Sequence, residues 1–490
     1  MKKYCQSFTG ANTSNNGLLN VTVRIGVFFD GTGNNRVNSQ IGSDCRAMAE
    51  TYNNAHILEC GGRHSDPNSS YSNALTNVAL LADLYRQQPI AHNCGNGLKA
   101  YHAIYVSGIG TTSGGRDSFI SGQSLGRGHT GVVAKVAKSV KKISRVLSEF
   151  AAHNPGSAIA ALELDLFGFS RGAAAARHLA NEVLKQNKGL LNPIIEQRKL
   201  PLSPQFKWGN GCISLKVIGL FDTVAAIGSV ADMGNVSDSI NTKVNLFLPP
   251  GCAEDVIHLV AGDELRRNFS LNSIAPGWTR EITVPGAHSD VGGGYPMQSH
   301  ESVLLTRPRR SLVSLRTLSQ DTDAWQQTQA ELAGLDPLQW LDPRDPEAHM
   351  RVTCWERHNQ SMRSMKEVWA AVSLERRVFG HLSGVYLRLM HALATDQGVP
   401  FEPIPEQMLS SVPPELRGIA CKLIEQGQRG KISLTEHEAR VLSRGYIHRS
   451  AHWKALAGKS GMWSDSLFVH APAAGGRIRF PNCGQPGYPQ

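Results

Sequence analysis

Long apolar runs are missing from the 490-residue sequence. No stretch approaches the roughly 20 consecutive apolar residues that a membrane-spanning helix needs, so we expect no such helix. The N-terminal stretch MKKYCQSFTGANTSNNG has two lysines but lacks the apolar segment of a secretory signal peptide. We therefore expect a protein that is made in the cytoplasm and either stays there or leaves without a cleaved signal.

Metal-binding cysteine patterns are missing as well. The nine cysteines form neither a CxxC pair nor the Cys and His spacing of a zinc site. We therefore expect no metal and no cofactor. Cys45, Cys60 and Cys94 fall in one loop-rich region where an oxidising compartment would allow a bridge, but free thiols are the simpler expectation.

Charged residues are sparse, at 18% of the sequence against 41% hydrophobic residues. This balance is typical of a globular protein and excludes a disordered or fibrous chain. The net charge of +10 favours anionic partners such as phospholipid headgroups or nucleic acid. Because the chain has no dense basic run with interleaved aromatic residues, we expect no nucleic-acid partner.

The most informative stretch of the chain is GFSRG at residues 168–172, which four alanines follow. The preceding AIAALELDLF predicts a strand, and RGAAAARHLANEVLKQ predicts a helix. A strand, a G-x-S-x-G turn and a helix together form a nucleophile elbow, which exposes a serine on a strained turn. The two glycines would let the strand and the helix approach without a Cβ clash. We predict that Ser170 is a nucleophile; a glycine turn capped by a serine is the alternative.

Apolar strands alternate with helical patterns through the first 300 residues. The predicted strands cover residues 21–29, 101–106, 158–167, 215–221, 256–260 and 280–284. Such alternation is typical of a parallel sheet with helices packed on it. The predicted fold class is therefore α/β: an α/β-hydrolase-like, mostly parallel sheet with helices on both faces, plus a mainly helical C-terminal region.

The chain divides into three predicted parts: a flexible N-terminal lead at 1–20, a catalytic domain at 21–300, and a mainly helical region at 301–490. Within these parts we expect an irregular excursion at 36–70, a linker or surface segment at 301–350, helices at 364–396 and 415–459, and a loose terminus at 473–490. Helices packed on a core are the simpler interpretation of the last region. Contact with a membrane or with substrate is the alternative.

A nucleophilic serine needs a base within hydrogen-bond reach, and that base needs an orienting carboxylate. Asp222 directly follows the predicted strand LKVIGLF, and His288 follows the strand REITV in a glycine-rich loop. The order Ser, Asp, His is the one that α/β-hydrolases use. We favour Asp222 and His288, with Asp290 bracing the His288 loop. The alternative pairs Asp290 as the acid with His448 as the base, and turn or loop roles for Asp222 and His288 also stay open.

The turn after the first strand is the expected oxyanion site. Asp30-Gly31-Thr32 lies at the carboxyl end of that strand, where an early loop of α/β-hydrolases supplies one backbone N–H. We assign this donor to Gly31 and Thr32, with Asp30 holding the loop, and the second donor to the backbone N–H of Arg171. An ordinary turn is the alternative.

Four motifs occur in order along the chain: FFDGTGNN at 28–35, GFSRGA at 168–173, FDTV at 221–224 and HSDVGGGY at 288–295. Together they make residues 21–300 resemble the catalytic domain of bacterial type VI secretion phospholipase effectors. The resemblance implies an α/β-hydrolase whose triad falls on Ser170, Asp222 and His288, and which hydrolyses membrane glycerophospholipids in the manner of a phospholipase A. It also implies delivery into the periplasm of a rival bacterium, loading on a secretion spike protein and a cognate immunity protein.

The sequence leaves two functions open besides phospholipid hydrolysis. One is a soluble carboxylesterase acting on small esters. The other is a non-catalytic, hydrolase-like adaptor module, against which the presence of all the predicted triad residues argues.

Overall fold

The computed structural model describes residues 17–51, 69–95, 97–114, 131–197, 200–225, 244–359, 361–362, 364–407, 412–453 and 470–484. Most of the predicted N-terminal lead and Cys60 therefore lie outside the described residues. No helix in these ranges is both long and apolar enough to cross a bilayer.

A seven-stranded, mostly parallel sheet forms the centre of the molecule, as predicted. Its strands are β1 Leu19–Phe29, β2 Gln88–Asn93, β3 Leu98–Val106, β4 Ser157–Phe169, β5 Ile213–Phe221, β6 Asp255–Ala261 and, after the short β7 Leu271–Asn272, β8 Arg280–Val284. Their order in the sheet is β2-β3-β1-β4-β5-β6-β8. Only the edge strand β2 runs antiparallel to its neighbour. The long apolar runs of the inner strands follow from burial on both faces.

The register of the sheet brings three chain turns to one edge. Phe29 pairs with Gly168, and Phe169 pairs with Phe221. The residues that follow β1, β4 and β5 therefore leave the sheet side by side at its carboxyl edge, where open α/β sheets bind their ligands.

Helices cover both faces of the sheet and enclose two apolar cores. The first face carries α3 Val132–His153, α4 Arg171–Leu184 and α5 Asn192–Glu196. The second face carries α2 Asn77–Leu84, α8 His381–Asp396, α9 Pro414–Gln428 and α10 Glu436–Gly445. Three further helices in the described ranges are α1 Arg36–Thr51, α6 His288–Gly292 and α7 Asp323–Ala333. Period-2 alternation along the strands divides the side chains: Val27 faces the first core and Phe28 the second.

The region after residue 300 differs from the mainly helical prediction. Four antiparallel strands form a second sheet there: β9 Gln298–Leu304, β10 Arg309–Ser314, β11 His349–His358 and β12 Met365–Phe379. The helix predicted across 364–396 was wrong in its first half, where β12 buries Val368, Ala370 and Val372 at every second position. The predicted linker at 301–350 likewise contains β9, β10 and α7.

The C-terminal helices share the second core with the central sheet. Leu382, Val385 and Met390 of α8 are fully buried in the second core together with Phe167 of β4. The tail at 470–484 is docked rather than loose, because β13 Arg479–Phe480 pairs in parallel with β7. This docking differs from the predicted loose terminus.

The predicted irregular excursion at 36–70 begins with a helix, α1. Cys45 on this helix is disulfide-bonded, which differs from the expectation of free thiols. Cys94 is a free thiol, as expected.

Candidate active site

Ser170 occupies a sharp turn between β4 and α4. Its backbone angles are φ 57° and ψ −126°, an uncommon conformation for a residue with a side chain. The Ser170 N–H donates to the carbonyl of Phe221 at 3.0 Å, and its carbonyl accepts from Ala173 at 3.0 Å. These bonds hold the strained turn between two neighbouring strand ends.

The glycines on either side of Ser170 are required by close backbone contacts. A Cβ on Gly168 would lie 2.4 Å from the carbonyl oxygen of Gly172. A Cβ on Gly172 would lie 2.3 Å from the carbonyl oxygen of Phe29 and 2.4 Å from that of Asp30. The G-x-S-x-G pattern therefore lets the elbow pack directly against the turn that follows β1.

Asp222 and His288 form a buried hydrogen-bonded pair. Asp222 follows β5 with φ 42°, and its Oδ2 lies 2.5 Å from Nδ1 of His288, the first residue of α6. The imidazole packs between two aromatic rings, with centroid distances of 4.6 Å to Phe169 and 4.9 Å to Phe269. With Nδ1–H donating to the carboxylate, the other ring nitrogen is left as a proton acceptor.

The tail supplies a residue that the sequence analysis missed. Arg477 donates from its two terminal nitrogens to Oδ1 and Oδ2 of Asp222, at 2.7 and 2.8 Å. The Asp222 Oδ1 also accepts the N–H of Ala261 at 3.0 Å. Arg477 lies 255 positions from Asp222 in a glycine-rich stretch without hydrophobic periodicity, so no sequence pattern could have linked the two residues.

Opposing charges set the protonation of this pair. Burial alone would raise the pKa of the Asp222 carboxyl, but Arg477 and His288 outweigh it and hold that pKa well below its usual range. Burial lowers the pKa of the His288 imidazole, and the bond to Asp222 only partly opposes this effect. The pair at neutral pH is therefore an ionised carboxylate and a neutral imidazole.

A cavity of about 200 Å³ opens beside these residues. It is lined by Thr32, Asn34, Asn73, Phe169, Ser170, Arg171, Arg266, Phe269, His288, Ser289, Gly294 and Tyr295. Ser170 and His288 thus face one space, together with Thr32 from the turn after β1 and with Arg171, the first residue of α4. Predicted site residues from three separate segments therefore meet at this cavity, and Asp222 from a fourth segment lies behind His288.

The turn after β1 is held by Asp30. The Asp30 carboxylate accepts from Tyr105 and Thr76 hydroxyls at 2.5 and 2.7 Å, and from the Gly31 N–H at 2.7 Å. The Gly31 N–H is therefore already engaged. Thr32 lines the cavity, and its buried hydroxyl has no hydrogen-bond partner among the described residues.

Asp290 and His448 form a second buried pair. The Asp290 carboxylate lies 2.7 Å from Nδ1 of His448 and accepts the N–H groups of His448 and Ala287 at 3.0 and 2.9 Å. The Nε2 of His448 lies 3.1 Å from the hydroxyl of Ser299. His448 is absent from the described lining of the cavity. The pair instead ties the C-terminal region to α6, which carries His288.

Two further buried residues, His258 and Glu264, support the ends of the strands. His258 is fully buried in β6, and its Nε2 accepts the N–H of Thr223 at 3.0 Å, next to Asp222. Its Nδ1 lies 3.1 Å from Glu281.

Glu264 accepts hydrogen bonds both from the guanidinium of Arg266 and from the His288 N–H. Burial would raise the pKa of the Glu264 carboxyl, but Arg266 holds that pKa at about 2.

Known proteins match both the sequence and this structure. A family model described as the catalytic domain of Tle1-like type VI secretion phospholipase effectors matches residues 203–325, a segment that contains Asp222 and His288. The structure of the Tle1 effector bound to the VgrG spike from the type VI secretion system is 32% identical in sequence, with a TM-score of 0.70 and 94% of each chain covered. The chain belongs to the Tle1-like family.

Membership of the Tle1-like family confirms the resemblance inferred from the four motifs. The protein is accordingly a phospholipase effector of type VI secretion, and hence a lipolytic hydrolase. A crystal structure of an uncharacterized protein from Pseudomonas aeruginosa is less similar, at 18% identity and a TM-score of 0.39, covering 87% of this chain and 53% of that one. A search of curated proteins gave no match.

Proposed function

We propose that this Tle1-like protein is a serine phospholipase of the A type with an α/β-hydrolase-like fold and a triad of Ser170, Asp222 and His288. The observation that carries the proposal is the convergence of the strained Ser170 and the Asp222–His288 pair at one cavity. The chemistry needs a serine on an elbow, a neutral imidazole and a carboxylate that fixes its tautomer.

The reaction proceeds in two acyl-transfer steps. The Ser170 oxygen attacks the ester carbonyl carbon of a glycerophospholipid while Nε2 of His288 takes the hydroxyl proton. The bond from the acyl carbon to the glycerol oxygen then breaks, and His288 returns the proton to that oxygen, which releases a lysophospholipid. Water, deprotonated by His288, attacks the acyl-enzyme in the same way and releases the fatty acid.

Two N–H groups stabilise the oxyanion in this account. Arg171 follows the serine at the start of α4, where the helix dipole favours negative charge. For the second donor we assign Thr32 rather than Gly31, since the Gly31 N–H is engaged by Asp30 while Thr32 lines the cavity.

Charge and family relationships support an anionic phospholipid substrate reached by injection. The chain carries a net charge of +10, and Arg171 and Arg266 line the cavity, Arg266 as an ion pair with Glu264. The structure of the related Tle1 effector shows it bound to the VgrG spike. We therefore propose loading on a spike protein of that kind, action in the periplasm of a target bacterium, and a cognate immunity protein in the producer.

A comparison of two histidines tests the assignment of the base. His288 and His448 are both buried and both paired with an aspartate. We expect His288→Ala to reduce fatty-acid release by at least about 10⁴-fold, because the proton has no acceptor. His448→Ala should remain active, since its contacts are with Asp290 and Ser299. An inactive His448→Ala protein together with an active His288→Ala protein would instead favour the Asp290–His448 alternative.

A further inference from the structure

Asp222 is surrounded by four hydrogen-bond donors, and two of them come from one arginine. The His288 Nδ1 and one Arg477 nitrogen share Oδ2, while the Ala261 N–H and the other Arg477 nitrogen share Oδ1. A two-point bond from a planar guanidinium fixes both the position and the rotation of a carboxylate plane. The orientation of Asp222 toward His288 is therefore set in part from the tail.

Arg477 is itself held in place. Its side chain is only 8% exposed, its Nε donates to the carbonyl of Phe269 at 2.7 Å, and a terminal nitrogen donates to that of Ala261 at 3.3 Å. Ala261 is the last residue of β6, and Phe269 lies in the segment between β6 and β7. The guanidinium is thus pre-oriented toward Asp222.

The tail that carries Arg477 is fastened to the loop that carries Asp222. Leu271 donates its N–H to the carbonyl of Ile478 at 2.9 Å, and β13 lies beside β7. Asn272 of β7 in turn donates its N–H to Thr223 at 3.0 Å. Further along, Asn482 bonds to Leu248 through both its amide oxygen and its amide nitrogen. The backbone therefore supports a fixed distance between Arg477 and Asp222.

We propose that Arg477 is a positioning residue of the active site, whose bidentate guanidinium holds Asp222 in the orientation that fixes the proton-accepting tautomer of His288. This inference rests on the catalytic roles proposed above for Asp222 and His288. Arg477 is not among the described residues that line the cavity, so its effect reaches the substrate only through these two residues.

Removing the arginine also changes the charge around the imidazole. Among the described residues, Asp222, Glu264 and Arg266 act on His288 directly. Arg477 lies behind Asp222, and the Asp290 carboxylate accepts the N–H of Ala287, next to His288. Loss of the Arg477 cation leaves the Asp222 charge uncompensated, which favours a protonated His288. The pKa of His288 then rises, so the acidic limb of the rate profile moves to higher pH.

The test compares three variants of the full-length protein on a soluble short-chain ester. Arg477→Ala should lower kcat about 100-fold through misplacement of the triad, leave KM unchanged, and move the acidic limb to higher pH. Added guanidinium ion should restore part of the lost rate. Arg477→Lys keeps the charge without the two-point bond, so its kcat should lie between those of Arg477→Ala and the wild type.

Arg479→Ala is the matched control. It removes the same charge two residues away in the same tail, from a side chain that is 55% exposed and 3.6 Å from Glu281 rather than against Asp222. It should retain the wild-type kcat and pH profile. Arg477→Lys keeps the test decisive if Arg477→Ala fails to fold, which circular dichroism would show.

Two results separate failure of this inference from failure of the proposed function. If Ser170→Ala and His288→Ala are inactive but folded Arg477 variants keep the wild-type kcat and pH profile, Arg477 has no positioning role. If the Ser170 and His288 variants stay active, the proposed triad itself is wrong. A loss of thermal stability in Arg477→Ala with unchanged kcat and pH profile would mean a structural role only, and would overturn the inference.

Discussion

At the scale of single residues, the site depends on charges that burial would otherwise disfavour. An ionised Asp222 is fully buried, and it is stabilised by Arg477, His288 and the Ala261 N–H. Replacing one partner of such a group leaves an unpaired buried charge, which is costly. Ser170, Asp222 and His288 could be proposed from the sequence because each follows a predicted strand, whereas Arg477 lies in a stretch without any such marker.

The protonation of His288 gives a prediction for pH. Burial lowers the pKa of the imidazole from its ordinary value of about 6.5. In the proposed mechanism His288 must be neutral to accept the serine proton, so kcat/KM should stay high as the pH falls through 6.5 and should decline only at lower pH. A profile of kcat/KM against pH on a soluble ester measures this limb. A midpoint above about 7 would contradict the charge balance described for the pair.

At the scale of elements, the site is assembled from the carboxyl ends of adjacent parallel strands. β1, β4 and β5 neighbour one another, so the turns that carry Thr32, Ser170 and Asp222 are adjacent by construction. Their apolar runs could be recognised from sequence. β12 could not be separated from α8, because a strand and a helix with mixed polar and apolar residues follow each other with only Gly380 between them.

A pair of glycine substitutions tests the packing of the elbow. Gly172→Ala would place a Cβ 2.3 Å from the Phe29 carbonyl oxygen, so the elbow and the turn after β1 must separate. We expect a loss of about 1–3 kcal/mol in the free energy of unfolding together with lower activity. Gly384→Ala is the control, because a Cβ at this position in α8 would have no atom within 4 Å apart from its own helix backbone and chain neighbours. Alanine is also more favourable than glycine in a helix by about 1 kcal/mol. Chemical denaturation measures both, and equal effects would contradict the packing argument.

At the scale of the whole molecule, the C-terminal part packs on the central sheet and contacts the candidate site. Helices α8 and α9 close the second core over the sheet, Asp290 and His448 join α6 to this region, and the tail reaches Asp222. The change in composition near residue 300 suggested a domain boundary there. The contacts that join the two parts could not be predicted, because contacts between segments far apart in sequence leave no local pattern. The Tle1-like relative is matched over 94% of the chain, which agrees with one continuous architecture.

The central claim is that Ser170 of this molecule cleaves acyl esters of glycerophospholipids. The most direct measurement is the release of fatty acid and lysophospholipid from phosphatidylglycerol and phosphatidylethanolamine vesicles, by the wild type and by Ser170→Ala. The wild type should release both products in equimolar amounts. A Ser170→Ala protein with an unchanged circular dichroism spectrum should release none above background. Undiminished release by the folded Ser170→Ala protein would contradict the assignment of Ser170 as the nucleophile.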